Sequence, residues 1–125
     1  AALIKKINDA KLRNKKEIIL WGTGKPLRDL LFVDDLARAI IILIEKYNGK
    51  EIINIGSGKE ISIKKLAFMI QKKIGYNGKV IFNKRLDGTP RKILNISKLK
   101  KLRWRPNISL SDGLDLAIDW YKKTY

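Results

Sequence analysis

The chain has 125 residues, of which 45% are hydrophobic, and this suffices for one domain with a buried core. It contains no cysteine and no histidine, which excludes disulfides and thiolate metal sites and argues against zinc, so we expect no bound metal. No apolar run approaches the roughly 20 residues that span a bilayer, and no signal peptide is visible. We therefore expect a cytoplasmic protein without membrane contact.

The net charge is +16, from 28 lysines and arginines against 12 acidic residues. Such a balance is typical of nucleic-acid-binding proteins. The cations, however, are spread through every predicted helix and loop, and no aromatic-interleaved patch accompanies them. The sequence therefore disfavours nucleic acid as a partner, although a non-catalytic basic nucleic-acid-binding module stays an alternative.

Hydrophobic spacing predicts an α/β fold in which short strands alternate with amphipathic helices, in a single domain over residues 1–125. The first dozen residues have helical spacing and end near Arg13. Short apolar runs predict strands at 17–21 and 30–33.

A longer helix is predicted over 35–47, with Asp34 or Asp35 as its N-cap and Asn48-Gly49 at its end. Capping explains the two adjacent carboxylates better than acid–base chemistry does. The predicted core-facing stripe of this helix is Leu36, Ile40, Leu43, Ile44 and Tyr47.

A buried strand is predicted over 52–55, leading into Gly56-Ser57-Gly58. A Gly-x-Gly after a strand can bind phosphate, but the following residues lack the Walker pattern. We therefore interpret it as a tight exit from the strand that scaffolds a pocket.

The remaining elements carry clear end signals. Ser62 caps a helix that stops at Gly75, and a strand at 79–82 follows. A short helix over 97–102 precedes a last helix, which begins with the capping box Ser109-Leu110-Ser111-Asp112. The side chains expected in the core include Phe68, Met69, Trp104 and Trp120.

Two loops have the composition of a ligand site. The first, Trp21-Gly22-Thr23-Gly24-Lys25-Pro26-Leu27-Arg28, offers a Trp ring to cover a flat heterocycle and an Arg for an anionic group. Its alternative is a hairpin with Trp21 in the core. The second, Asp87-Gly88-Thr89-Pro90-Arg91-Lys92, places two cations beside a turn, which suits a phosphate or diphosphate. Its alternative is a solvated surface turn.

These blocks together resemble a known family. The runs WGTGKPLRDLLFVDDLARA, INIGSG, DGTPRK and LRWRPNISLSDGL are similar to the carboxy-terminal part of GDP-L-fucose synthases. Those enzymes are extended short-chain dehydrogenases/reductases of the NAD-dependent epimerase/dehydratase type, which epimerise a GDP-4-keto-6-deoxy-mannose and reduce it with NADPH. The resemblance implies that this chain is their nucleotide-sugar-binding portion, without the Rossmann domain.

The resemblance also implies substrate-binding residues. Arg28 and Lys92 would neutralise the diphosphate, and Asp87 would accept from donor groups of the sugar or base. The whole implied set is Lys6, Trp21, Arg28, Asp87, Arg91 and Lys92, where Lys6 stands in place of an Arg that the family carries.

The catalytic signals of that family are missing. The chain has no Gly-x-x-Gly-x-x-Gly turn, and none of its tyrosines is followed by Lys at the fourth place. The resemblance therefore implies a fragment that is inactive alone and contains no catalytic residue. It also implies that a missing N-terminal Rossmann domain holds the NADP, and we expect this chain itself to bind no cofactor. A homodimer of the full enzyme is left open, as is a sister epimerase/dehydratase acting on UDP- or dTDP-sugars.

Overall fold

A computed structural model describes residues 2–83 and 87–125. Within these residues the chain is α/β, as predicted, with helices that are much longer than the strands. The elements in chain order are α1 (Ala2–Leu12), β1 (Glu17–Leu20), β2 (Leu27–Asp29), α2 (Val33–Lys46), β3 (Glu60–Ser62), α3 (Ile63–Ile74), β4 (Lys79–Phe82), β5 (Arg91–Lys92), α4 (Ser97–Lys101) and α5 (Leu110–Thr124). None of the helices in this described part is long and apolar enough to cross a bilayer.

The strands form two small sheets. In the first, β1 and β4 run parallel, with Glu17 opposite Lys79 and Leu20 opposite Phe82. In the second, β2 lies in the middle, antiparallel to β3 and parallel to β5. Because β2 directly follows the Trp21 loop and β5 ends the Asp87 loop, the second sheet brings the two candidate ligand loops together.

The main core lies where α1, α3 and α5 cover the β1–β4 sheet. Its fully buried members include Ile7, Ala67 and Ile74, all on the inner faces of helices. In a smaller cluster, Ala39 of α2 packs with Leu99 and Trp104. The alternation of buried and exposed residues along β1 matches the period of two expected for a strand with one buried face.

The ends of α3 and the start of α5 follow the sequence signals closely. The Ser62 hydroxyl accepts the backbone N–H of Lys65 at 3.2 Å, and so caps α3 as predicted. Gly75 ends α3 with φ 71°, in the left-handed conformation that favours glycine. The Ser109 hydroxyl accepts the N–H of Asp112 at 3.1 Å at the start of α5, which confirms the predicted cap.

Two predicted strands were wrong. Residues 30–33 form no strand, and the chain pairs earlier, at Leu27–Asp29, before entering α2 at Val33. Residues 52–55 are irregular, and the Ile52 side chain is 86% exposed. No strand among the described residues lies beside 52–55, and an apolar run without a partner cannot satisfy its backbone by ladder hydrogen bonds.

The orientation predicted for α2 was also wrong. Most of the predicted stripe, including Leu36, Ile40 and Ile44, is exposed, while Ala39 and Asp35 are buried. Neither aspartate caps the helix, because the N-cap position is Phe32 and makes no side-chain bond. The amphipathic pattern is present, but the described part of the chain supplies no surface to cover it.

The four side chains expected in the core differ in their burial. Trp104 is buried in the smaller cluster, as predicted, and Met69 packs at the edge of the main core. Trp120 and Phe68 are exposed, so their placement in the core was wrong.

Candidate functional site

The two candidate ligand loops meet through the β2–β5 pairing. This parallel ladder aligns Leu27 with Arg91 and Arg28 with Lys92. Paired residues of neighbouring strands point to the same side of a sheet, and successive residues alternate sides. Arg28 and Lys92 therefore share one face, and Arg91 lies on the other.

Arg91 and Lys92 have different surroundings, although they are adjacent in sequence. The Arg91 guanidinium forms an ion pair with Glu60 of β3, at 2.5 Å. The Lys92 ammonium is exposed, and no hydrogen bond or ion pair is recorded for it within residues 2–83 and 87–125. Lys92 is therefore the cation of this loop that is ready to receive an anion.

Arg28 is half-buried and held by the protein backbone. Its Nη1 donates to the carbonyl oxygen of Leu27 at 2.6 Å and to that of Thr89 at 2.9 Å. A guanidinium has five N–H donors on three nitrogens. Nε and Nη2 form no hydrogen bond or ion pair within residues 2–83 and 87–125, so a positioned fork is left for a ligand oxygen.

Asp87 is bound to the first loop by both of its oxygens. Oδ1 accepts the backbone N–H of Thr23 at 2.7 Å, and Oδ2 accepts the Thr23 hydroxyl at 2.5 Å. These two bonds hold the pKa of the Asp87 carboxyl below its ordinary value, and the bond from the Thr23 hydroxyl has the larger effect. The positive charge of nearby Lys25 also lowers this pKa. The Asp87 side chain is therefore a carboxylate at neutral pH.

Trp21 is the first residue of the first loop, directly after β1, and is 85% exposed. The alternative that placed this ring in the core is therefore wrong. Its neighbour Gly22 donates its N–H to Oδ1 of Asn83 at 2.9 Å. The backbone beneath the ring is thus anchored, while the indole face is open to a flat ligand.

The first loop also occupies the start of α3. Ile63 and Lys64 donate their N–H groups to the carbonyl oxygens of Pro26 and Gly24, at 3.0 and 2.8 Å. Together with the Ser62 cap, these bonds satisfy the first turn of the helix, so its N-terminus offers no free N–H groups to a phosphate.

The Gly56-Ser57-Gly58 turn binds a carboxylate of the chain itself. Ser57 and Gly58 donate their backbone N–H groups to Oδ1 and Oδ2 of Asp29, at 2.8 and 2.9 Å. This bond set leaves no cradle for a pyrophosphate, and a dinucleotide cofactor does not fit the turn. The turn acts instead as a scaffold, because Asp29 ends the strand that carries Arg28.

Lys6 is the predicted site residue that the structure does not bring to the others. It is exposed on α1 and lines an open cleft of about 410 Å³, with neighbours that include Asp9, Arg13 and Glu17. The residues lining this cleft include neither Arg28 nor any residue of the Asp87 loop.

A larger cleft, of about 930 Å³, is lined mainly by apolar side chains, which come from α1, α3 and α5 and from the segments at 30–32, 57–61 and 106–109. It contains none of the six predicted site residues. The residues predicted to bind a ligand therefore lie outside this cleft. No cluster of acidic, Cys or His residues suited to a metal ion occurs in the described ranges.

The sequence interpretation missed Thr23, Glu60 and Asn83, which hold the site residues in place. Thr23 lies within the loop singled out, but no local pattern connects it to Asp87. Glu60 is opposite Asp29 in the β2–β3 ladder, and this register brings it to Arg91. Only knowledge of the strand pairing could have identified these partners.

Residues 1–56 match the model of the NAD-dependent epimerase/dehydratase family. This match agrees with the extended short-chain dehydrogenase/reductase fold expected from the sequence. The chain is 46% identical over 123 residues to GDP-L-fucose synthase 1 of Arabidopsis thaliana. That match covers 98% of this chain but 38% of the plant enzyme, so the chain spans well under half the length of such relatives.

Solved structures of the same kind have the same fold. The GDP-mannoheptose C4 reductase MlghC of Campylobacter jejuni, solved with NADP bound, superposes with a TM-score of 0.87 at 34% identity. The match covers 97% of this chain and 43% of the reductase.

A relative whose name gives a different nucleotide is also similar to this chain. A putative UDP-glucose 4-epimerase of Methanocaldococcus jannaschii is 37% identical over 123 residues, which are 98% of this chain and 39% of that protein.

Proposed function

We propose that this chain is the nucleotide-sugar-binding part of an enzyme like GDP-L-fucose synthase. The observation that carries the proposal is the pairing of Arg28 with Lys92 beside a loop that presents Trp21. Two cations on one face of a sheet, on strands that continue from a loop with an exposed aromatic ring, are complementary to a diphosphate joined to a flat base.

Each residue has a role in this proposal. The free nitrogens of Arg28 and the ammonium of Lys92 would bind the diphosphate, and Trp21 would cover the flat group. Asp87 would accept from hydroxyl or amino groups, since an ionised carboxylate has lone pairs beyond the two that Thr23 uses. Arg91 and Lys6 are secondary members, because Glu60 partly neutralises Arg91 and Lys6 lies in its own cleft.

In the whole enzyme, this chain would hold the GDP-sugar while the rest of the protein epimerises the keto-sugar and reduces it with hydride from NADPH. The part of the enzyme beyond this chain would bind that cofactor and supply the catalytic groups. Binding energy from the nucleotide would orient the reacting ring, which is remote from the contacts made here. The 125-residue chain alone is then expected to be inactive.

Calorimetric titration of the chain with GDP and with UDP tests the nucleotide preference. We expect GDP to bind more tightly than UDP, because the two specific loops resemble the GDP-sugar branch. Tighter binding of UDP would favour a sister epimerase, for which the 37% identity to a putative UDP-glucose 4-epimerase is the supporting observation. If the chain binds neither GDP nor UDP, the proposal is overturned.

A chimera tests the role in the whole enzyme. The chain replaces the matching 38% of GDP-L-fucose synthase 1 of Arabidopsis thaliana, and NADPH oxidation is followed with the keto-sugar substrate. Within the chimera, Arg28→Ala is expected to raise KM by about tenfold to a hundredfold with little change in kcat. The matched control is Lys46→Ala, which removes an exposed cation at the end of α2. Equal KM values for the two variants would remove Arg28 from the site.

A further inference from the structure

The contact between Thr23 and Asp87 joins the two ligand loops. The Thr23 backbone N–H and hydroxyl donate to different oxygens of the same carboxylate, at 2.7 and 2.5 Å. We refer to this pair of bonds as the Thr23–Asp87 clamp. Farther along the same loops, Leu27 donates its N–H to the Pro90 carbonyl oxygen at 2.8 Å, beside the start of the β2–β5 ladder.

The backbone next to the clamp is shaped to let the carboxylate approach closely. Gly22 has φ +78°, a conformation that other residues adopt with strain. A Cβ atom at Gly22 would clash with Oδ1 of Asp87. A glycine beside the threonine is therefore needed for the clamp to form, and this marks the clamp as a built contact between loops.

The Trp21 ring depends on this backbone for its position. Because the side chain is 85% exposed, core packing does not fix it. Its backbone is held between Leu20, the buried last residue of β1, and the next two residues, whose N–H groups bind Asn83 and Asp87. Asp87 in turn starts the segment that ends at Lys92 on β5. The clamp thus connects the aromatic wall of the site to its cationic wall.

We propose that Thr23 is a positioning residue, which holds the Trp21 loop and the Asp87 loop at a fixed separation before a ligand arrives. The proposal rests on the proposed function, since the ligand in question is a nucleoside diphosphate group. A site whose two walls are fixed in advance loses less conformational freedom on binding. Thr23 itself needs no contact with the ligand.

The test compares Thr23→Val, which removes the hydroxyl and keeps the shape, with Thr23→Ser, which restores it. Nitrogen-15 relaxation of the Trp21 indole N–H reports its motion without ligand, and calorimetry gives the Kd for GDP. We expect Thr23→Val to increase indole motion and to weaken GDP binding by about five- to tenfold. Thr23→Ser should stay close to the unaltered chain in both measurements. Thr124→Val, which makes the same chemical change at the end of α5, is the matched control.

The outcomes separate this inference from the proposed function. If the unaltered chain binds GDP and Thr23→Val changes neither indole motion nor Kd, the positioning role is overturned while the proposed function stands. If the unaltered chain does not bind GDP, the proposed function fails and this inference with it. Should Thr23→Val fail to fold, Asp87→Ala breaks the clamp from the exposed second loop, and an indole as rigid as in the unaltered chain would overturn the proposal.

Discussion

Arg28 lies directly opposite Lys92 across the parallel β2–β5 ladder. Like charges at paired positions repel each other, and such pairs destabilise a sheet unless an opposite charge lies between them. The acidic side chains nearest in the sheet are engaged elsewhere, because Asp29 binds the Ser57 turn and Glu60 pairs with Arg91. The face that carries Arg28 and Lys92 is thus complementary to an anion supplied from outside.

The alternation of side chains along β5 predicts unequal effects for its two cations. Lys92→Ala removes a charge from the Arg28 face and is expected to weaken GDP binding by about tenfold. Arg91→Ala removes a charge that is already paired with Glu60. We therefore expect the Kd for GDP to change by less than about threefold. Calorimetry on both variants checks this. A larger loss from Arg91→Ala would show that the β2–β5 register misassigns the binding face.

Gly24 tests how the first loop is fixed on α3. It has φ +74°, and a Cβ atom there would lie 2.6 Å from the Phe82 ring and 2.9 Å from Cβ of Lys64. Gly24→Ala is therefore expected to lower the free energy of unfolding by about 2 kcal/mol or more. Gly88→Ala is the control, because no residue of the described ranges, its two chain neighbours aside, lies within 4 Å of the added methyl group. Urea denaturation of the two variants gives the comparison, and equal stabilities would contradict the described loop geometry.

Local signals predicted the ends of α3 and the start of α5, because a cap is decided within a few residues. Ser62, Gly75 and Ser109 each form the predicted bonds or backbone conformation. The geometry of the candidate site could be predicted only in part. The two loops were identified by their composition, but strands as short as β2 and β5 carry no readable period. Their pairing, and the contact between Thr23 and Asp87, depend on the tertiary fold alone.

The helix α2 shows a different limit of sequence patterns. Its apolar residues recur at helical spacing, which predicts an amphipathic helix correctly but cannot tell whether a surface exists to cover it. The exposed Leu36 and Ile40 show that most of this stripe is uncovered in the described part of the chain. The irregular segment 52–55 has the same cause, since a strand requires a neighbour to pair with.

A pair of isoleucine substitutions tests whether the apolar stripe of α2 is exposed. Ile44 is 76% exposed, so Ile44→Ala is expected to change the free energy of unfolding by less than about 0.5 kcal/mol. Ile70 is 2% exposed in the main core, so Ile70→Ala is expected to cost about 3 kcal/mol, from lost burial and the remaining cavity. Urea denaturation measures both. A large loss from Ile44→Ala would mean that the stripe is covered after all.

Asp35 should be the acidic side chain of α2 that matters most for stability. It is 1% exposed, and it accepts the backbone N–H groups of Asn107 and Ile108 at 2.9–3.1 Å. Arg38 donates to it at 2.7 Å. Asp35→Ala leaves these donors without an acceptor, so a loss of about 3 kcal/mol is expected. Asp34→Ala, at the exposed neighbour, is the control, and urea denaturation compares them.

The contribution of Asp35 should also depend on pH. Burial alone would raise the pKa of its carboxyl, but the hydrogen bonds from Asn107, Ile108 and Arg38 outweigh burial and lower it. A carboxyl with a lowered pKa stabilises the fold fully above its unfolded value of about 3.9, and the stabilisation is lost as pH falls through the folded pKa. The stability difference between the unaltered chain and Asp35→Asn should therefore be constant from about pH 5 to 7 and shrink below about pH 4. A difference that stays constant down to about pH 2 would show that the charge of Asp35 contributes nothing.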